Sequence, residues 1–204
     1  MENKGTITKQ KIISSAFSLF AAKGYDGATM ADIMKDTGLS KGALYHHFKS
    51  KESIADTGIR DFADKLDVCF KEILEQDDTA LEKLRTVMIR QKEIYGDQEQ
   101  ALMSILASSK ISKLKEKMQL AHRGKFVMAM QAIIRQGQEE GTFKSKDSSE
   151  VIAHFVFGID ESFYKLPSEV LTNSKELKKY YISGMHLSAS AMGIEETFFD
   201  EFID

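Results

Sequence analysis

The sequence has one cysteine, one proline and no tryptophan among 204 residues. A single cysteine, Cys69, excludes an intramolecular disulfide. Proline disrupts helix interiors, so a chain whose one proline is Pro167 can form long helices. The sequence also contains no convincing alternation of apolar and polar residues and no internal repeat. We therefore predict an all-α protein.

Long apolar runs are missing as well. The N-terminal stretch MENKGTITKQK is polar and lacks the apolar core of a signal peptide. Near the C-terminus, YYISGMHLSASAMGI is too short and too polar to span a bilayer. We expect a cytoplasmic protein with no membrane partner.

The common motifs of catalysis and metal binding are absent from the sequence. There is no phosphate-cradling GxxxxGK[ST], no GxSxG elbow, no HExxH and no pair of cysteines. Cys69 falls within a predicted helix and has no partner base in sequence to activate it. We expect no catalytic residues, no metal site and no cofactor, and we do not expect an enzyme.

Charge is distributed unevenly along the chain. Residues 1–60 contain nine Lys and Arg against six Asp and Glu, a net of +3. Residues 61–204 contain 19 against 25, a net of -6. This asymmetry indicates a basic N-terminal face that meets a polyanion, joined to an acidic body that does not.

Helical spacing of apolar residues continues from end to end. In the N-terminal quarter it predicts helices over 8–23, from Thr29 to Gly38, over 41–48 and over 51–76. Beyond these it predicts helices over 79–95, 98–108, 110–140, 147–165 and 174–192. We predict two domains: a three-helix unit with a helix-turn-helix over 1–50 and a larger helical domain over 51–204.

The stretch TGLS separates two short predicted helices, as in a helix-turn-helix, whose second helix enters the DNA major groove. Gly42 and Ala43 would let the backbone approach the groove floor, and Lys41 can reach guanine or a phosphate. Tyr45 and His46 can donate to phosphate oxygens. Each residue alone has a plainer interpretation, such as a solvated lysine or a surface aromatic, but their ordered spacing favours DNA binding.

Two further residues stand at predicted helix starts, where backbone N–H groups favour an anion. These are Thr29, before the second helix, and Lys51, which opens the fourth. Thr29 and Ser40 are also expected to cap helices whether or not they contact DNA.

The run TKQKIISSAFSLFAAKGYDGATMADIMKDTGLSKGALYHHFKSKESI resembles the DNA-binding domain of the TetR family of bacterial transcriptional regulators. The resemblance covers about residues 8–54, and its glycine, threonine, aromatic and lysine positions agree at fixed spacing. The DNA contacts that it implies are Thr29, Ser40, Lys41, Gly42, Ala43, Tyr45, His46 and Lys51. It also implies a C-terminal helical domain that binds a small effector and forms a homodimer.

The last two long predicted helices carry apolar stripes with small residues among them, which suits a four-helix dimer interface. The predicted interface residues are Ile152, Phe155, Ile159, Phe163, Tyr181, Gly184, Leu187, Ser188 and Ala191. The alternative is that both stripes pack only within one subunit.

Methionines and aromatics are frequent in the body and can line an adaptable apolar pocket, although any one of them can equally be core. The candidate effector residues are Met88, Tyr95, Met103, Met118, His122, Phe126, Met130, Phe155 and Phe163. We expect an unknown small molecule that is largely apolar.

Together these features predict a ligand-responsive regulator that represses transcription and binds a pseudo-palindromic operator on double-stranded DNA as a dimer. The alternative is a helical DNA-binding or adaptor protein whose body binds a protein partner instead of a small effector. The sequence does not distinguish release from DNA on effector binding from the opposite response.

Overall fold

In the computed structural model, the described residues are 4–96, 101–102, 104–105, 108, 112–163, 165–171 and 173–202. Helices account for most of them, and no strand occurs in this part of the chain. The prediction of an all-α fold is confirmed. Most of the predicted helix over 98–108 lies outside the described residues.

The N-terminal helices begin and end close to the predicted positions. Their bounds are α1 Lys4–Lys23, α2 Met30–Thr37, α3 Lys41–His47 and α4 Lys51–Glu75. α1 begins four residues before the predicted start, and α3 ends one residue early because Phe48 has extended backbone angles. The helix-turn-helix order of short helices is as predicted.

The remaining helices form the acidic part of the chain. Their bounds are α5 Ala80–Tyr95, α6 Ser112–Glu140, α7 Ser149–Phe163, α8 Ser168–Leu171, α9 Ser174–Met192 and a 3-10 helix Glu196–Phe202. The one-turn helix α8 follows Pro167 and was not predicted. Pro167 accepts backbone hydrogen bonds from Val170 and Leu171, so the proline begins this turn.

The chain divides into two compact units. The first contains Met1–Phe62 and Tyr95–Lys115, and the second contains Ala63–Ile94 and Glu116–Asp204. The division falls inside α4, which contributes its first residues to one unit and its last residues to the other. The functional boundary after residue 50 stays a prediction.

The core of the first unit is built on α1. Ile13, Phe17 and Phe20 recur at helical spacing and are at most 5% exposed. The Phe17 ring lies 5.6 Å from that of Phe20 and 5.7 Å from that of Phe62 in α4. These tilted aromatic contacts connect the first and fourth helices around one apolar centre.

Polar contacts fix α1 against the end of α2. Ser15 Oγ donates to Asp36 Oδ2 at 2.6 Å, and Lys11 Nζ donates to the carbonyl of Thr37 at 2.8 Å. The lysine satisfies a carbonyl in the last turn of α2, where cations are favoured. The last turn of the first helix of the helix-turn-helix is therefore held by α1.

The first unit also contains residues that are distant in sequence. Ser108 Oγ donates to Asp26 Oδ1 at 3.1 Å, across 82 positions of the chain. Ile105 is fully buried, and Ala101 and Leu102 are buried as well. The segment 95–115 is thus part of this unit although α5 separates it from α4 in sequence.

The core of the second unit combines the end of α4 with the later helices. The predicted inward residues Leu66, Phe70 and Ile73 are buried, which confirms that stripe of α4. Phe126 of α6 packs between Phe70 and Phe157, with ring centroids 6.0 Å and 5.8 Å apart. No helix among the described residues combines the length and apolarity that crossing a bilayer requires.

Gly58 in the middle of α4 faces the ring of Phe17. A Cβ atom placed on Gly58 would collide with that ring and would lie 3.2 Å from Ile13 Cγ2. The absence of a side chain therefore allows α4 to approach α1 closely. The sequence pattern did not identify this glycine.

We predict that Gly58→Ala destabilises the protein by up to about 2 kcal/mol, because overpacking of about 1–3 kcal/mol outweighs a gain in helix propensity of about 1 kcal/mol. Urea denaturation followed by circular dichroism measures the change. The control is Gly124→Ala, since a Cβ at the exposed Gly124 of α6 meets no described atom within 4 Å. A Gly58→Ala protein as stable as Gly124→Ala would contradict the prediction.

Candidate functional site

The N-terminus of α2 is capped by side chains from the helix start itself. Thr29 accepts a hydrogen bond from the backbone N–H of Asp32, and Asp32 accepts one from the backbone N–H of Thr29. Lys23 Nζ donates to the same carboxylate at 2.7 Å. Hydrogen bonds from Lys23 and from Thr29 lower the pKa of Asp32 to about 2. A protein carboxylate thus already occupies the helix end where Thr29 was predicted to favour a phosphate.

A tight turn joins α2 to α3. Gly38 adopts a left-handed conformation with φ of 68°, and its N–H donates to the carbonyl of Met34. Ser40 then caps α3 by accepting from the N–H of Ala43 at 3.2 Å. The predicted capping role of Ser40 is confirmed.

α3 has one buried face and one open face. Leu44 is fully buried and the following Phe48 is 3% exposed, as predicted. Ser40, Lys41, Gly42 and His46 are exposed, and Ala43 and Tyr45 are half-buried, so six predicted DNA contacts lie along the open face. These six residues are called the α3 strip below.

Gly42 is not required by the packing of the described residues. A Cβ atom at Gly42 meets none of their atoms within 4 Å, and the residue lies inside a helix, where alanine is more stable than glycine. The open space shows that a larger residue would fit the isolated protein. The glycine is therefore consistent with close approach of an external partner.

Lys51, the eighth predicted contact, is directed into the protein. Its Nζ donates to the carbonyls of Tyr25 at 2.5 Å and Ala28 at 2.8 Å and lies 4.3 Å from the centre of the Tyr25 ring. The lysine therefore joins the start of α4 to the loop between α1 and α2. Phosphate binding by Lys51 stays a prediction, and the structure adds a positioning role that the sequence pattern did not reveal.

Tyr25 is 4% exposed and packs edge-on against Phe20, 5.1 Å between ring centroids. Burial, and then the nearby charges of Glu52 and Asp26, raise the pKa of Tyr25 to about 12. The tyrosine therefore stays neutral at physiological pH and serves as a fixed support for Lys51.

Comparison with known proteins identifies this helix-turn-helix. Residues 12–57 match the family model described as bacterial regulatory proteins, tetR family. The chain is 28% identical over 150 residues to the HTH-type transcriptional repressor KstR2 of Mycolicibacterium smegmatis, covering 72% of this chain and 73% of that repressor. Residues 12–57 therefore carry a helix-turn-helix of the tetR family type.

Two further proteins match this chain over different extents. The biofilm operon icaADBC HTH-type negative transcriptional regulator IcaR of Staphylococcus aureus is 48% identical over 52 residues, which are 26% of this chain and 28% of that regulator. The crystal structure of the TetR family transcriptional regulator PfmR from Thermus thermophilus aligns with a TM-score of 0.61 at 24% identity. That alignment covers 89% of this chain and 96% of PfmR, so the TetR fold extends through the helical body.

The second unit contains a cavity of about 100 Å³ between its helices. Most of its lining is apolar, and the polar lining groups are Gln91, Asp160, Tyr181 and Ser188. Three of the predicted effector residues, Met88, Phe126 and Met130, line it. An apolar wall with a few polar groups is typical of small-molecule sites.

The other predicted effector residues are not placed at this cavity. Phe155 is 50% exposed on α7 and does not appear among the described residues that line the space. Met103 and the side chains of Tyr95, Met118, His122 and Phe163 lie outside the described residues. Assignment of an effector to this cavity stays a prediction.

Asp160 is the one acidic group among the described lining residues, and none of them is basic. The residue as a whole is half-buried, but its Oδ2 atom is out of contact with solvent. Burial raises the pKa of Asp160 to about 6 because the apolar wall disfavours the charged form. The sequence pattern did not single out this residue.

α7 and α9 pack on each other, so some of the predicted dimer residues are buried within one subunit and others are exposed. Ile152, Gly184 and Ser188 are buried, whereas Phe155 is 50% and Leu187 is 54% exposed. Tyr181 is exposed as well, and Ile159 and Ala191 are half-buried. Two apolar residues that were not predicted, Val151 and Tyr180, are also exposed on these helices.

We predict that Asp160→Asn stabilises the protein at neutral pH. With a pKa of about 6 in the folded protein and 3.8 as the unperturbed value, the folded state binds more protons between these limits. The contribution of Asp160 to the free energy of unfolding of the wild-type protein should therefore fall as pH rises from about 4 to 6. The fall is roughly 3 kcal/mol at most. The difference between variant and wild type should grow over the same window.

Urea denaturation at several pH values measures this difference. The control is Glu161→Gln, because the neighbouring Glu161 lies 3.2 Å from Lys165 and does not line the cavity in the described structure. A free-energy difference between Asp160→Asn and wild type that stays constant across the window would contradict the prediction.

Proposed function

We propose that this protein is a TetR-family repressor that binds a pseudo-palindromic operator as a homodimer and responds to a small molecule. The observation that carries the proposal is the α3 strip, where a glycine that the described packing does not require lies next to the exposed Lys41 and among polar side chains. Helix-turn-helix proteins insert this helix into the major groove.

The side chains of the α3 strip differ in which part of the DNA they can contact. Lys41 is exposed at the first turn of α3, where a side chain can meet a guanine edge or a phosphate. Tyr45 and His46 are further along the helix and suit phosphate oxygens. Lys51, at the start of α4, supports the strip indirectly because it bonds to the loop that precedes α2.

The dimer is supported by the exposed apolar surface of α7 and α9. Val151, Phe155 and Leu187 are each at least half exposed, and burying them against the same residues of a second copy would remove this surface from water. A dimer also places two recognition helices on successive major grooves, about 34–36 Å apart. We propose this surface as the centre of the interface.

The effector response is supported by the cavity and by the course of α4. The cavity offers an apolar space between helices, which favours a small ligand over a protein partner. α4 contributes to both compact units, so a ligand that prefers one conformation of the second unit can shift the populations of both. We propose a cytoplasmic location, where the operator DNA is, and no enzymatic activity.

We predict that Gly42→Ala raises stability by about 0.5–1 kcal/mol and weakens operator binding by about tenfold or more. The stability gain follows from helix propensity, and the loss of affinity follows from a methyl group between α3 and the bases. Fluorescence anisotropy with DNA from upstream of the protein's own gene measures affinity, and urea denaturation measures stability.

The matched control is Gly124→Ala, which makes the same change at an exposed helical glycine outside the α3 strip. This control should gain stability without losing affinity. Wild-type affinity should also fall steeply with salt, since phosphate contacts release counterions. Equal operator binding by both variants would show that Gly42 does not face the groove.

We predict that Phe155→Glu combined with Leu187→Glu converts the dimer to a monomer, because four charges would enter an apolar interface. Size-exclusion chromatography with light scattering measures the mass. The control is Met128→Glu, which places a charge on an apolar residue that is 71% exposed on α6. A double variant that remains dimeric would place the interface elsewhere.

A further inference from the structure

The 3-10 helix Glu196–Phe202 packs on α9 and forms part of the wall of the cavity in the second unit. Of its seven residues, Phe199 alone is buried, with 3% of its surface exposed. Phe199 lines the cavity together with Leu84 and Val87 of α5 and Met192 of α9. One aromatic residue of an otherwise partly or fully exposed segment therefore reaches the cavity.

A second space lies between α5 and the same 3-10 helix. It is an open cleft of about 370 Å³. The residues that line it are Ile89, Lys92 and Glu93 of α5 and Glu201 and Phe202 of the 3-10 helix. Because α5 and the 3-10 helix form walls of both spaces, movement of the 3-10 helix away from α5 would open the cavity toward the cleft.

The chain is fixed where this segment begins. The carbonyl of Gly193 accepts a hydrogen bond from the N–H of Lys144 at 3.1 Å, and the carbonyl of Met192 accepts one from Ser145 at 3.3 Å. Gly193 has a φ of 68°, and a Cβ atom at this residue would collide with the backbone of Ser145. The loop between α6 and α7 therefore holds the chain up to Gly193.

The far end of the segment is held by side chains at the surface. Arg85 of α5 forms an ion pair with Glu201, and its guanidinium carbon lies 5.5 Å from the centre of the Phe198 ring. His186 Nε2 of α9 lies 3.4 Å from Asp200 Oδ1. The side chains in these two pairs are between 35% and 56% exposed, so water screens their charges and the contacts are weak.

We propose that the 3-10 helix is a lid over the cavity, that Phe199 is the residue that closes it, and that the contacts of Arg85 hold it shut. The proposal rests on the proposed effector response, in which a small molecule enters by this route. Opening takes place beyond Gly193, because the backbone is fixed up to that residue. A segment held by one buried side chain and weak surface contacts can open without unfolding the helices beneath it.

A cysteine in the cavity wall measures the opening. Val87→Cys places a thiol of similar volume where the native side chain is 2% exposed and lines the cavity. The native Cys69 is equally buried in the same unit but is not among the described lining residues, so it serves as an internal reference. The folded protein is treated with methyl methanethiosulfonate near neutral pH, and mass spectrometry of tryptic peptides follows each thiol.

Weakening the contacts of Arg85 should accelerate labelling in the cavity. Adding Arg85→Ala to Val87→Cys should raise the labelling rate at position 87, relative to Cys69, by about tenfold, because the ion pair and the cation–π contact are both lost. The matched control is Arg135→Ala, the same change at an exposed arginine of α6 that lines neither space in the described structure. This control should leave the ratio of the two rates unchanged.

Charge reversal separates the ion pair from a general effect of changing Arg85. Arg85→Glu should also accelerate labelling, and adding Glu201→Arg should return the rate toward its original value, since the pair re-forms with its signs exchanged. Leu84→Cys, at another buried lining residue, replaces Val87→Cys if that variant does not fold.

Three results would each overturn the lid: no acceleration by Arg85→Ala, an equal acceleration by Arg135→Ala, or no recovery on reversing both charges. The labelling needs neither DNA nor an effector, so these results contradict the lid whether or not the protein responds to a small molecule. An operator affinity that no bound small molecule changes would instead contradict the effector response and leave the labelling result as it stands.

Discussion

The arrangement of the helix-turn-helix depends on where the ammonium group of Lys51 lies. Its bonds to the carbonyls of Tyr25 and Ala28 satisfy loop oxygens that would otherwise need water, and its position over the Tyr25 ring adds a cation–π contact. Because Tyr25 itself packs on Phe20, the start of α4 is connected through one side chain to the loop and to the core of α1. α2 begins immediately after this loop, so the contact joins the start of the helix-turn-helix to the start of α4.

Much of the fold was predictable from residues that act on their close neighbours in sequence. Thr29, Ser40 and Gly38 each act through groups within a few positions, and the helices begin and end where these residues indicated. The buried residues Leu44 and Phe48 follow from period alone. The contacts of Gly58 with Phe17 and of Lys51 with Tyr25 were not predicted. Each joins residues more than 25 positions apart, and only the packed structure brings them together.

The candidate sites likewise differ in whether their residues are close together or far apart in sequence. The α3 strip was predictable because its residues belong to one short helix and its N-cap and share one open face. The cavity was not, because its lining comes from α5, α6, α7, α9 and the 3-10 helix. Methionine content indicated an adaptable space, but Asp160 resembled any acidic residue on a helix until the structure placed it in one cavity wall with Phe126 and Met130.

The first unit contains segments that are translated at different times. Ser108, which bonds to Asp26, belongs to this unit together with the buried Ile105, yet both emerge from the ribosome after the whole of α5. The DNA-binding end of the chain is thus made first but receives its last residues late. Residues 1–62 by themselves do not include every segment of the unit, so its full set of contacts can form only after α5 has been translated.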